Sequence, residues 1–141
     1  MSLVYWDSML FIYLVEDNPL QASIVETTLA EMRRRGDTLC TSIFTVGEVL
    51  TGPYAKGATD VAEEIREFLG PPDVQILPFS AETTEYYAKI RARNRVKPAD
   101  AIHLATAAAA GVDLFLTHDR ALHGLIVPGI QFVMDMHANF F

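Results

Sequence analysis

The feature that most constrains this chain is a regular alternation. Short apolar runs are separated by segments long enough for helices and carrying helix punctuation at both ends. Leu3-Val4-Tyr5-Trp6 is the first run and is read as a strand, followed after Asp7-Ser8 by a helix from Met9 to Glu16. Asn18 then supplies an N-cap and Pro19 a first helical position, and the helix they start runs to Arg35 and stops at Gly36. Thr38 to Ser42 is the second strand, with Ser42 or Thr45 capping a helix that carries Val46, Glu48, Val49 and Leu50 and breaks at Gly52-Pro53. An amphipathic helix from about Thr59 to Leu69 is closed by Gly70-Pro71-Pro72, and Val74 to Phe79 forms strand three. Ser80 caps a long helix reaching about Val96. Pro98 opens another over Ala99 to Ala110, ended by Gly111. Val112 to Leu116 and Ile130 to Met134 are the last two strands.

Strands alternating with helices in this way predict a three-layer α/β/α sandwich with a mostly parallel central sheet of about five strands. At 141 residues the chain makes one domain, 1–141, and 50% hydrophobic against 21% charged residues argues for a folded globule. The longest apolar run, Met9 to Val15, falls well short of the roughly 20 residues of a membrane span and lacks the basic flank of a signal peptide. The single cysteine, Cys40, has no intramolecular partner and reads as a small buried hydrophobe, so a reducing, cytoplasmic setting is expected. A formal charge of −7 counts against a simple nucleic-acid-binding module. It is compatible with an enzyme whose acidic site is neutralised by metal ions.

In open parallel sheets, ligands lie beyond the carboxyl ends of the strands, near the switch in strand order. Asp7 closes strand one, Glu48 lies in the first turns of the helix after strand two, and Asp119 falls just past strand four. Asp100 begins the helix that feeds strand four, and a helix antiparallel to that strand starts at the same edge. Each acid has a simpler role available: Asp7 as an N-cap, Glu48 and Asp100 as complements to helix N-termini, Asp119 as a turn residue. None of those roles explains convergence on one edge. Gathered carboxylates raise one another's pKa, and a divalent cation relieves the repulsion. Mg²⁺ suits such an oxygen-donor site, with Mn²⁺ as its substitute.

The stretches "SIFTVGEVL" and "KPADAIHLATAAAAGVDLFLTHDRAL", with the early "VYWDS", resemble the PIN-domain ribonucleases, and most of all the VapC-like toxins of bacterial and archaeal toxin–antitoxin modules. The resemblance covers essentially the whole chain and implies a PIN-like sandwich. It matches Asp7, Glu48, Asp100 and Asp119 to the family's catalytic, metal-holding acidic quartet and Thr117 to the supporting hydroxyl of a T-x-D element. Also implied are a Mg²⁺- or Mn²⁺-dependent endoribonuclease using one or two metals, 5′-phosphate and 3′-hydroxyl products, and a homodimer. A cognate antitoxin would fill a groove with a helical segment. Many relatives carry Asn two residues after the first acid, where this chain has Met9.

Seven of the 11 basic residues fall in two clusters. Arg33-Arg34-Arg35 reads as a solvated helix end, whereas Arg91, Arg93, Arg95 and Lys97 precede Asp100 and are candidates for contact with an RNA backbone. Tyr54 is a candidate base-stacking residue. Trp6 is expected in the core and His103 as a packed or hydrogen-bonded residue; His118 and His123 lack zinc spacing. Phe11, Tyr13 and Leu14 are expected either to pack inward or to present an apolar surface to a partner. A phosphorylation receiver would need an aspartate after strand three and a lysine after the last strand, and this chain has neither; a dinucleotide fold would need G-x-G-x-x-G after strand one. A non-catalytic PIN-fold binding module is the remaining alternative, and loss of quartet acids would be its signature. All four are present.

Overall fold

The computed structural model describes residues 1–16 and 18–138. The elements run β1 (Leu3–Trp6), α1 (Ser8–Val15), α2 (Pro19–Arg35), β2 (Thr38–Ser42), α3 (Ile43–Ala55), α4 (Thr59–Phe68), β3 (Gln75–Leu77), α5 (Ala81–Arg93), α6 (Pro98–Ala110), β4 (Leu114–Thr117), a short 3-10 turn (Arg120–Leu122) and β5 (Phe132–Asp135). All four strand pairings are parallel, in the order β3-β2-β1-β4-β5. The chain adds strands outward from β1 in one direction through β3, then returns to add β4 and β5 on the other side. The switch in strand order therefore lies between β1 and β4.

Strand alternation sends neighbouring side chains to opposite faces and so builds two cores. Val4 and Trp6 of β1, Leu39 of β2 and Leu116 of β4 pack with residues of α1 to α4, among them Leu10, Phe11, Val25, Val49 and Ile65. Tyr5, Cys40 and Phe115 face the other way, against Leu104, Ala105 and Ala108 of α6 and Ile90 of α5. The Tyr5 and Phe115 rings stack with centroids 4.9 Å apart. The alanine-rich face of α6 lets the helix lie close to the sheet. Gly129 completes the fit: its φ is +99°, and a Cβ there would come within 2.7 Å of the Ala108 carbonyl oxygen.

Most helix limits follow the punctuation. Asn18 Oδ1 accepts from the Gln21 amide (3.4 Å), Ser42 Oγ accepts from the Thr45 amide (3.0 Å), and Gly36 and Gly111 close α2 and α6 in the left-handed conformation. Gly52-Pro53 does not break α3, which continues to Ala55. A proline so near a helix end removes one hydrogen bond, and the Lys56 amide still reaches the carbonyls of Gly52 and Pro53. α5 stops at Arg93, short of the expected end, where Asn94 turns extended and its Nδ2 donates to the Ile90 carbonyl at 3.1 Å. β3 is shorter than expected, and β4 and β5 begin two residues later. Turn hydrogen bonds Val112 N–H to Ala107 O (3.2 Å) and Ile130 N–H to Val127 O (3.0 Å) hold the residues just ahead of them. Phe11 is 1% exposed and belongs to the core, so it offers no surface to a partner; Tyr13 and Leu14 are half-buried against the same core. α1 packs against both α2 and α3, which places its middle inside.

Candidate active site

The acids divide by the edge of the sheet on which they fall. At the amino edge, Asp113 Oδ2 accepts from the Leu3 amide and Asp37 Oδ1 from the Ser2 amide, both at 2.8 Å, which satisfies the start of β1. These are structural. At the carboxyl edge the arrangement is different.

Asp7 follows directly on β1 and is 8% exposed. One oxygen caps α1 by accepting from the Met9 amide at 3.1 Å; the other accepts a hydrogen bond from the Thr117 hydroxyl at the end of β4. Thr117 Oγ1 in turn accepts from the Asp119 amide at 3.0 Å, and Asp119 Oδ1 caps the 3-10 turn by accepting from the Ala121 amide at 2.9 Å. Thr117 is fully buried and links the first acid to the fourth. Asp100, in the first turn of α6, lies near enough to Asp119 and Asp7 for the acids to act on one another electrostatically.

Electrostatics records the crowding. Burial, opposed by the Thr117 bond and His103 but aided by the charge of Asp100, lifts the Asp7 pKa from an ordinary 3.8 to about 6. Burial and the neighbouring Asp119 raise Asp100, against the pull of His103 and Lys97. Glu48 is held differently. Burial pushes its pKa up, but hydrogen bonds from His103 and Ser8 outweigh this and hold it below the usual range. Its Oε1 lies 2.5 Å from both Ser8 Oγ and His103 Nε2.

The structure thus brings Asp7, Asp100, Asp119 and Thr117 into one connected cluster, with Glu48 reaching Ser8, the neighbour of Asp7. Among the described residues, no three His, Cys, Asp or Glu side chains already surround a common point as metal ligands would. The donor chemistry nonetheless fits a hard cation. The aspartates offer only oxygen, and Asp7 and Asp100 have raised pKa values from burial and crowding that a cation would relieve.

Arg91, Arg93, Arg95 and Lys97 are all exposed, and the charge of Lys97 is felt at Asp100. Arg34 pairs with Glu31 and Arg35 with Asp37, which accounts for two of the first arginine cluster at the end of α2. Tyr54 is exposed near the end of α3. Beside Glu48, between α1, α3 and α4, lies a cleft of about 530 Å³ lined by Ile12, Val15, Pro53, Val61 and Ile65, with Lys56 among its polar residues. A second group at this edge escaped the sequence reading. His118 Nδ1 bonds the Tyr13 hydroxyl (2.5 Å), the His118 and His137 rings meet at 4.7 Å, and His137 Nδ1 lies 2.9 Å from Asp135 Oδ1. Only the end of β5 hints that Asp135 and His137 belong beside His118; their spacing carries no signal.

Residues 4–125 match the family model described as PIN domain. The chain belongs to the PIN domain family. Among solved structures, this PIN chain is similar to one in VapBC2 from Rickettsia felis, bound to a DNA fragment from its promoter. The TM-score is 0.75 at 16% identity, over 94% of this chain and 98% of that one. A toxin–antitoxin complex from Klebsiella pneumoniae gives a TM-score of 0.68 at 21% identity, covering 90% and 94%. VapC20 from Mycobacterium tuberculosis, a sarcin-ricin loop cleaving toxin, gives 0.65 at 15% identity, covering 79% and 86%. These likenesses establish the VapC-type fold. No curated protein sequence matches the chain.

Proposed function

We propose that this PIN domain is a Mg²⁺- or Mn²⁺-dependent endoribonuclease acting as the toxin of a toxin–antitoxin pair. The observation that carries the reading is the gathering of Asp7, Asp100 and Asp119 from three separate elements at the switch in strand order, with two of their pKa values raised. A structural role for each acid alone would not require them to crowd. Asp7, Asp100 and Asp119 would hold the cation, Glu48 would complete the set through Oε2, and Thr117 fixes the Asp7 carboxylate. A bound divalent ion supplies Lewis acidity and an acidified water for in-line attack on a phosphodiester. Arg91, Arg93, Arg95 and Lys97 would hold RNA phosphates, giving binding that weakens with salt.

The partner is proposed to be an antitoxin whose apolar helical segment lies in the cleft between α1, α3 and α4, beside Glu48. The toxin–antitoxin complexes of similar fold support that choice, and VapC20 supports structured RNA as substrate. A homodimer and a cytoplasmic setting belong to the same proposal. None of the helices, over the described residues, is long and apolar enough to cross a membrane.

One observation favours a second reading. Asp7, Glu48 and Asp119 each have a protein hydrogen-bonding role already, as they would in a binding module without catalysis. A single experiment separates the two: cleavage of structured RNA with and without Mg²⁺, by wild type and by Asp100→Asn, with circular dichroism to confirm folding. Metal-dependent cleavage lost in Asp100→Asn supports the nuclease. Absence of cleavage by folded wild type with Mg²⁺ or Mn²⁺ refutes it.

A further inference from the structure

Behind Glu48 stands a buried relay that catalysis by four acids does not by itself require. His103 lies on α6 one turn after Asp100 and is 4% exposed. Its Nε2 is 2.5 Å from Glu48 Oε1 and 3.2 Å from Ser8 Oγ. Its Nδ1 is 2.7 Å from the hydroxyl of Tyr5, which is fully buried, and 3.4 Å from Thr45 Oγ1. An ionised carboxylate only accepts, so Nε2 carries the proton given to Glu48. Nδ1 is then free to accept from the Tyr5 hydroxyl. The Tyr5 ring is clamped between Phe115, stacked at 4.9 Å, and His103, edge-on at 5.9 Å. A rigid strand residue thus orients the imidazole, and the imidazole with Ser8 fixes one oxygen of Glu48. Oε2 has no hydrogen bond among the described residues and is the oxygen left for a ligand.

We propose that His103 is a positioning residue, which acts through Glu48 by committing Oε1 and presenting Oε2 to the metal. This rests on the metal-dependent reading above. Such outer partners fix the orientation of a ligand, and their removal typically weakens metal binding by about 10- to 100-fold. Glu48 lies in a helix lining an open cleft and is only half-buried, so without the relay its side chain would sample several rotamers.

The test is Mn²⁺ binding, measured by calorimetry and by electron paramagnetic resonance, on the intact protein. His103→Leu should weaken Mn²⁺ at least about tenfold. His103→Gln places an amide donor near the position of Nε2 and should restore affinity to within about threefold of wild type. In a Glu48→Gln background, His103→Leu should cause no further loss, because the relay then has no carboxylate to position. Should His103→Leu fail to fold, Tyr5→Phe removes only the hydroxyl behind Nδ1 and should weaken Mn²⁺ severalfold. Unchanged affinity in folded His103→Leu, or equal losses with and without Glu48, would overturn the positioning role while leaving the metal site standing. Wild type that binds no Mn²⁺ would overturn the metal reading, and this proposal with it.

Discussion

Asp7→Asn separates the structural from the chemical role of the first acid, because the two have opposite signs. The carboxyl is 8% exposed and its pKa is lifted from 3.8 to about 6, mainly by burial. Below pH 3.8 the carboxyl is protonated whether the chain is folded or not, and this acid adds no penalty. Between pH 3.8 and 6 the unfolded chain loses the proton while the folded state keeps it, so stability falls as pH rises. Above pH 6 the penalty is complete, at about 3 kcal/mol from roughly 1.4 kcal/mol per unit of pKa. Asparagine keeps an oxygen for the Met9 amide and carries no charge. The penalty is already net of the charge-assisted part of the Thr117 bond, so asparagine gives up only a neutral hydrogen bond there, roughly 1 kcal/mol.

Metal-free Asp7→Asn is therefore expected to be more stable than wild type at pH 8 by about 2 kcal/mol, or roughly 5 °C in melting temperature for a domain of this size. At pH 4 the advantage should vanish or reverse. Millimolar Mg²⁺ should raise the wild-type melting temperature at pH 8, more than at pH 5, where protons compete for the carboxylates. The rise should be much smaller in Asp7→Asn. Thermal unfolding followed by circular dichroism at pH 4, 5 and 8, with and without Mg²⁺, contains the whole test. A variant destabilised equally at all three pH values would show that Asp7 is an ordinary, satisfied cap, and the account of a crowded acid would fail.

Asp119→Asn should leave the 3-10 cap intact, since Asn accepts from the Ala121 amide equally well, yet reduce Mg²⁺-dependent RNA cleavage at least about 100-fold; full activity would return this residue to a turn role. Thr117→Ala should be milder in cleavage, because it removes an orienting bond rather than a charge, with roughly 1 to 2 kcal/mol lost from stability in chemical denaturation. Co-expression with the adjacent small gene should yield a complex protecting Ile12, Val15 and Val61 from hydrogen exchange; a toxic chain that stays unbound beside that product would exclude the proposed partner. Gly129→Ala, remote from the acids, should cost several kcal/mol through strain at φ +99° and collision with the Ala108 carbonyl, read as a lowered melting temperature at unchanged metal affinity.

What the sequence reveals of this site follows from where backbone punctuation falls. Asp7 and Asp119 are legible because each sits at or within two residues of the end of an apolar strand. Asp100 is legible because Pro98 marks the start of its helix and Gly111 the end. Strand direction then delivers all three to one edge. Side-chain partnership is not legible in the same way. Ser8, Glu48 and His103 come from α1, α3 and α6 and meet only after the sheet has set the spacing between those helices. The direction of Phe11 was equally hidden, since α1 reads Ser-Met-Leu-Phe-Ile-Tyr-Leu-Val and is apolar nearly all round, leaving periodicity no face to choose. The simpler expectations for Asp7 and Asp119 hold: both residues cap helical turns. Capping and the proposed metal-holding role are not rivals at these positions. A cap needs an acceptor oxygen with fixed geometry, a metal ligand needs a negative oxygen with fixed geometry, and an aspartate held by its own cap supplies both. The backbone amide that satisfies one oxygen also orients the other, which is why charge removal by asparagine, rather than truncation by alanine, is the substitution that isolates the chemistry.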